Sequence, residues 1–306
     1  MVGGHQQVEA NWIHLENPSL DDMVQISQKY HFPLDYLTSA LDPDEIPREE
    51  GLIRKNDRKT ALITCLYPSK NSKEVSEWAY VTCPISIVIV GDKVYTCVKK
   101  TPDFMENMLL GQSDLGVVLS NPLEMMIELF WRISKEYIRL LRGINQRTND
   151  IHAQLRTSTK SELLLELSEL QKTVIYFETA IDENSPLVDA VVQSNFFKID
   201  RTCEAHLYDV QVENYQAEKM IHQTSELLEK LSEIFTGIVS QNLNIVMKIL
   251  TSLTIIITIP TIVAGIWGMN VKLPFENHPW AFVILGVLTL GACALTAWWL
   301  KQRDLL

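Results

Sequence analysis

The chain has 306 residues, with 27 Lys plus Arg against 38 Asp plus Glu and a formal net charge of −11. That length holds about two domains of ~150 residues, and the acidic surplus argues against nucleic acid as a partner while suiting a cation. The five cysteines, at positions 65, 83, 97, 203 and 293, lack the paired spacing of a disulfide framework and read as small buried apolar residues.

In chain order, residues 10–15 (ANWIHL) predict a first strand. Pro18-Ser19 followed by Asp21-Asp22 reads as the cap of a helix running to Tyr30, and a second short helix follows Pro33. Residues 41–51 (LDPDEIPREEG), with two prolines and five acidic residues, form a loop or a strand lead-in. β-Branched and aromatic residues dominate in TALITCLYP from Thr60 and again in ISIVIVGDKVYTCVK, where Gly91-Asp92-Lys93 makes a hairpin turn. The run 85–90, apolar apart from Ser86, predicts a strand buried on both faces, which calls for helices covering the sheet. The first 120 residues are therefore expected to form one α+β domain. The chain contains no glycine-rich phosphate loop, HExxH or nucleophile elbow. An enzyme is not expected, no catalytic residue is assigned, and no organic cofactor is expected.

Residues 121–199 read as a helical arm. Pro122 suits the first position of a helix after Ser120-Asn121, and apolar residues then recur at three- and four-residue intervals. After a Thr157-Ser158-Thr159-Lys160-Ser161 break the same pattern resumes in ELLLELSELQKTVIYFETAIDEN. Two antiparallel helices are expected, the second ended by Pro186. From residue 200 to 267 helical spacing persists with Pro260 as the one proline, which predicts a single helix about 100 Å long at 1.5 Å per residue. Such a stalk would join the first domain directly to a membrane span and could transmit what that domain senses.

The span is the end of that stretch. Residues 249–267 carry no charge, and ~20 mostly apolar residues match a ~30 Å hydrocarbon core. A second apolar run covers residues 280–300, an intervening loop occupies 268–279, and residues 301–306 form a tail. The two spans make a hairpin, so both long ends share one side. That side is expected to be the cytoplasm, because the N-terminal part shows no secretory signal, and Lys248, Lys301 and Arg303 outnumber Lys272 of the loop. Trp267, Trp280, Trp298 and Trp299 read as interfacial anchors.

Counting back from Gly268 in steps of three and four gives Gly265, Thr261, Thr258, Thr254, Thr251, Met247, Asn244 and Ser240. These small, hydroxyl and amide side chains share one helix face. Such a seam serves helix packing in many membrane proteins. Here it runs beyond the apolar stretch toward Glu233, as expected if identical helices surround one axis. Two spans cannot enclose a channel, so a pore requires a ring of subunits. Met247 with Leu250 beside it suits a hydrophobic gate, while the amide and hydroxyls suit a hydrated ion. A strongly hydrated divalent cation such as Mg²⁺ fits neutral oxygen groups that hold its water shell. Cys203 and His206, one turn apart, supply only two soft-metal ligands, short of a closed zinc site.

Gly268-Met269-Asn270 after PTIVAGIW, at the outer end of the first of two C-terminal spans and followed by a Pro-containing acidic loop, resembles the CorA divalent-cation transporter family. The helical arm and long stalk match as well. The resemblance implies a funnel-shaped homopentamer in the cell membrane, with N- and C-termini in the cytoplasm and five long helices lining the pore. It implies a mouth at Gly268, Met269 and Asn270, with Asn270 on hydrated Mg²⁺ and Glu276 as the loop's acidic residue. Family pore positions carry over to Thr261, Thr258, Leu250, Met247, Asn244 and Glu233, with Thr258 where the family often has methionine, and Thr254 and Thr251 of the seam join them in the expected pore lining. The transported ion would be Mg²⁺, with Co²⁺ and Ni²⁺ as further candidates. Family members are held closed by cytosolic Mg²⁺ between subunits, and Asp209 falls at one carboxylate of that site. Its partner, an acidic pair, is replaced here by Thr38-Ser39, so Asp42 or Asp44 would have to substitute. Alternatives are a ZntB-like zinc transporter coupled to protons, although Met269 departs from the Gly-Ile-Asn variant of those relatives, and a membrane-anchored sensor whose spans only pack together.

Overall fold

The computed structural model describes residues 5–9, 11–52, 60–71, 76–155, 161–194, 196–197, 199–269 and 280–303. They fall into two compact units, Met1–Ser232 and Glu233–Leu306. In the first unit, strands β1 (His5–Glu9) and β2 (Trp12–Glu16) precede helix α1 (Leu20–Tyr30), the short helix α2 (Asp35–Thr38) and a 3₁₀ turn, Ser39–Leu41. Then come β3 (Arg48–Glu50), β4 (Thr60–Lys70), β5 (Tyr80–Val90), β6 (Lys93–Val98), α3 (Asp103–Leu109), α4 (Pro122–Leu155) and α5 (Ser161–Gln193). Helix α6 (Arg201–Trp267) runs through both units, and α7 (Ala281–Gln302) closes the described chain.

The local signals act as their chemistry predicts. The Ser19 side chain accepts from the Asp22 N–H at 3.2 Å while Asp22 Oδ2 accepts from the Ser19 N–H at 3.2 Å, a reciprocal cap that starts α1. Gly91 takes φ 62° as first residue of a two-residue hairpin between Val90 and Lys93, the type II′ pattern in which that position favours glycine. Strand β1 and helix α3 lie outside what periodicity picked out.

The six strands run in the order β1-β2-β6-β5-β4-β3, with β2 parallel to β6 and the other pairs antiparallel. Register places Leu62, Val88 and Tyr95 in one row. This row packs with Leu15, Met23, Phe32, Tyr36 and Leu37, so α1 and α2 cover that face. The alternate residues Ile63, Cys65, Ile85, Ile87 and Ile89 are also fully buried, and α4 and α5 pack on this part of the sheet. The run 85–90 is thus enclosed between two helical layers.

Strand β3 pairs with β4 only as far as Thr64, so the edge of β4 beyond it lacks a strand partner there. Asn184 of α5 takes that place: its amide donates to the Leu66 carbonyl at 2.7 Å and its carbonyl accepts from the Leu66 N–H at 2.9 Å. The Tyr137 hydroxyl also donates to the Leu66 carbonyl, at 3.1 Å. A side-chain amide thus stands in for an edge strand.

One expectation is corrected. Helix α5 does not stop at Pro186 but continues to Gln193 with the proline inside it. An interior proline costs about 3 kcal/mol by removing a donor and crowding the preceding turn. Beyond it, Leu187, Val188 and Val191 are buried, each worth about 1.5–3 kcal/mol. Burial of this following turn outweighs the proline, whose ring sits on the exposed face.

Candidate functional site

The seam lies on α6 within the second unit, and its surroundings there are set by α7. Along the last part of α6 the residues with reduced exposure are Lys248, Ser252, Ile256, Ile259, Val263 and Trp267, with Ser252 only 1% exposed. On α7 they are Ala281, Leu285, Thr289, Cys293, Thr296, Ala297 and Leu300. These sets face one another, and the Cys293 thiol reaches the Ile256 carbonyl at 3.7 Å. At about 100° per residue, Thr254, Thr261 and Gly265 point about 150–170° away from the centre of the α7 contact face, Thr258 about 130° and Thr251 about 110°. All five are exposed on the single chain, as are Ser240, Asn244, Met247, Leu250, Glu233, Gly268 and Met269. The tertiary structure therefore leaves the hydroxyl and small-residue face uncovered and uses the more apolar face for α7.

The seam hydroxyls donate along their own helix: Thr254 to the Leu250 carbonyl at 2.8 Å, Thr258 to Thr254 at 2.7 Å, and Thr261 to Ile257 at 2.9 Å. Each hydroxyl proton is thereby engaged, leaving oxygen lone pairs directed outward as acceptors. A row of acceptors suits the water shell of a cation better than an anion. Met247 is 59% exposed and Leu250 58%, forming an apolar band on the same face below the threonines. At the C-terminal end of α6, the Gly268 N–H bonds to Ala264 O at 2.9 Å, and a Cβ on Gly268 would lie 3.2 Å from that carbonyl oxygen. Asn270, Lys272 and Glu276 lie outside the described residues.

The residues expected to form a regulatory site sit in the first unit. Asp209 is 59% exposed on α6 and lies 3.9 Å from its own helix neighbour His206. Asp42 and Asp44 are exposed after the 3₁₀ turn, where Asp42 Oδ1 accepts from the Asp44 N–H at 3.0 Å. Ser39, where the resemblance implies an acidic pair, is buried, and its hydroxyl lies 2.7 Å from that of Ser86 on β5. Thr38 is directed back to the Asp35 carbonyl at 3.5 Å. Among the described residues no group of three or more His, Cys, Asp or Glu side chains is arranged to hold a metal ion. Cys203 is buried, and desolvation raises its thiol to about 11, which keeps it protonated at neutral pH.

Sequence reading overlooked a groove of about 510 Å³ between α5 and the first half of α6, lined by Asp182, Ser185, Asp189, Gln193 and Glu218. Burial, reinforced by Glu178 and Glu218, raises the Asp182 carboxyl, while His222 opposes the shift. No spacing along the chain reveals this groove, because its carboxylates come from two helices.

Helices α6 and α7 are long and apolar enough to cross a membrane. The family described as CorA-like Mg2+ transporter protein matches residues 8–302. The "Cobalt/magnesium transport protein CorA" of Methanocaldococcus jannaschii is 23% identical over 282 residues, covering 90% of this chain and 85% of that protein. The solved structure of the complete CorA magnesium transporter from the same organism aligns with a TM-score of 0.77 at 21% identity, over 94% of this chain and 88% of that one. The ZntB cytoplasmic domain from Vibrio parahaemolyticus shares the fold at a TM-score of 0.58 and 11% identity, over 76% of this chain and 89% of that one. With its matching architecture and a family match spanning nearly its whole length, the chain belongs to the CorA-like Mg2+ transporter family.

Proposed function

We propose that this protein admits Mg²⁺ across the cell membrane as a homopentamer, with α6 of each copy lining a central pore and α7 outside it. One observation carries the reading: the hydroxyl face of α6 is left uncovered on the side opposite α7. In this reading Gly268, Met269 and Asn270 form the outer mouth, with Glu276 in the adjoining loop. Thr261, Thr258, Thr254 and Thr251 hold the hydrated ion. Leu250 and Met247 form the gate, and Asn244 and Glu233 continue the path on the cytoplasmic side. Both termini face the cytoplasm.

A divalent ion gains about 4.6 kcal/mol per 100 mV, twice the single-charge value, so the membrane potential alone drives uptake. Mg²⁺ retains its water readily, which matches neutral oxygen acceptors, and Co²⁺ and Ni²⁺ are secondary substrates. Asp209, with Asp42 or Asp44, is the proposed cytosolic Mg²⁺ sensor between copies. Ser39 takes no part in it, since its hydroxyl is committed to Ser86.

The test is flux into proteoliposomes with an imposed potential, using Mg²⁺, Co²⁺, Ni²⁺ and Zn²⁺ with and without a pH gradient. Replacing Asn270→Ala is expected to reduce Mg²⁺ flux at least tenfold while the protein still elutes as an assembled oligomer. Undiminished flux in that variant rejects the pore-mouth assignment. Flux of Zn²⁺ that requires the pH gradient turns the reading toward proton-coupled zinc transport, and no flux of any ion leaves a membrane-anchored sensor.

A further inference from the structure

Pro260 lies inside α6 and has no N–H to donate to the Ile256 carbonyl four residues back. In an apolar surrounding an unpaired carbonyl is costly, and prolines in membrane helices persist where a neighbouring group supplies the missing donor. The nearby threonines on α6 do not: Thr254, Thr258 and Thr261 donate to Leu250, Thr254 and Ile257. The group that does reach the Ile256 oxygen comes from the other helix, the Cys293 thiol of α7 at 3.7 Å. Ile256 and Cys293 both lie on the face where α6 and α7 meet, opposite the seam.

We infer that Cys293 is a positioning residue: its S–H takes the place of the backbone donor that Pro260 removes. It thereby fixes the register of α7 against α6 at the level of the proline. The thiol suits this role because it is small, tolerates apolar surroundings and donates weakly at long distance. Of the seven α7 residues on this face, Ala281, Leu285, Ala297 and Leu300 have no side-chain donor, and the hydroxyls of Thr289 and Thr296 are spent on the Leu285 and Ala292 carbonyls at 2.8 and 2.9 Å. Cys293 is the remaining one, and its S–H points across the interface. Since the contact lies about 180° from Thr254 and Thr258, locking it sets the direction in which α6 presents the seam.

The experiment uses the full chain in lipid nanodiscs and compares Cys293→Ala, Cys293→Ser, Pro260→Ala and the Pro260→Ala/Cys293→Ala double variant. Cys293→Ala is expected to lower Tm by about 2–4 °C, and Cys293→Ser to restore most of it, since its O–H can donate to the same carbonyl. In the Pro260→Ala background the new Ala N–H serves Ile256, so removing the thiol changes Tm little. The infrared S–H stretch of Cys293, isolated by subtracting the Cys293→Ala spectrum, should lie at lower frequency with Pro260 present than in Pro260→Ala. An equal Tm loss in both backgrounds overturns the inference, as does a Ser variant as damaged as Ala or an S–H band unmoved by Pro260→Ala. Should Pro260→Ala fail to assemble, the comparison of Ser with Ala decides by the same criterion. These measurements stand apart from the transport reading, so loss of flux in Asn270→Ala and loss of coupling between Pro260 and Cys293 can fail separately.

Discussion

His14 shows how one buried side chain ties stability to pH. Its Nδ1 lies 2.8 Å from Thr96 Oγ1 and its Nε2 lies 3.0 Å from Thr101 Oγ1. Thr96 Oγ1 also accepts from the Trp12 indole N–H at 2.9 Å, so both ring nitrogens of the buried imidazole have hydroxyl partners. Burial lowers the imidazole from 6.5 to about 4, with Glu16 opposing. Between those values the unfolded chain binds more protons than the folded one. This contribution is therefore complete above pH 6.5 and is lost as pH falls toward 4, at no more than about 1.4 kcal/mol per pH unit. Thermal unfolding of the native chain and of His14→Gln across pH 4–7 should show a shallower slope in the variant; matching slopes would reject the assignment. Asn184 gives a second residue-scale test. Asn184→Ala leaves the Leu66 N–H without its partner, and a loss of about 1–3 kcal/mol is expected in chemical denaturation. Neither role is visible in the sequence, because Asn184 and Leu66 are separated by 118 positions.

At the scale of elements, the cap of α1, the Gly91 hairpin and the start of α4 at Pro122 were legible because each depends on residues a few positions apart. Proline was the exception. The same residue was read as a stop at 186 and as tolerated at 260, yet both sit inside helices. What differs is how each helix compensates. Around Pro186 the burial of Leu187, Val188 and Val191 holds the following turn, whereas Pro260 has a donor on α7. It follows that Pro186→Ala should stabilise the protein: Ala restores an N–H for the Asp182 carbonyl on an exposed face. A gain of about 1 kcal/mol or more is expected as a raised unfolding midpoint. An unchanged or lowered midpoint would mean that Pro186 shapes the Asp182 groove in a way the helix needs.

For the whole molecule, the exposed seam on a single chain sets the expectation of a ring of copies. Asn244 lies on the seam, while Ser252 lies on the face covered by α7. Cysteine introduced as Asn244→Cys should crosslink copies into disulfide-linked dimers in the membrane when an oxidant such as copper phenanthroline is added, one thiol pairing once, and Ser252→Cys should not. Of the native cysteines, Cys65, Cys97 and Cys203 are buried, and the partly exposed Cys83 and Cys293 are replaced by Ser to remove background. A crosslinked dimer from Ser252→Cys alone would place the wrong face of α6 toward the axis. The crosslink reports on assembly and the Asn270→Ala flux on the mouth, so the two parts of the transport reading are tested independently.

By itself the sequence determined the long helix Arg201–Trp267, the second apolar helix, the seam of hydroxyls and the Gly268-Met269-Asn270 resemblance. Helical periodicity and unbroken apolar length are local properties, and one stretch of chain is enough to express them. Only the tertiary structure decided that β2 runs parallel to β6, that Asn184 completes the edge of β4, and that Ser39 turns into the core to meet Ser86. It also decided which face of α6 meets α7, with Cys293 at the Ile256 carbonyl and the threonines left uncovered. Each of these depends on a partner brought near through space, because a buried donor or acceptor must be paired wherever along the chain its partner lies.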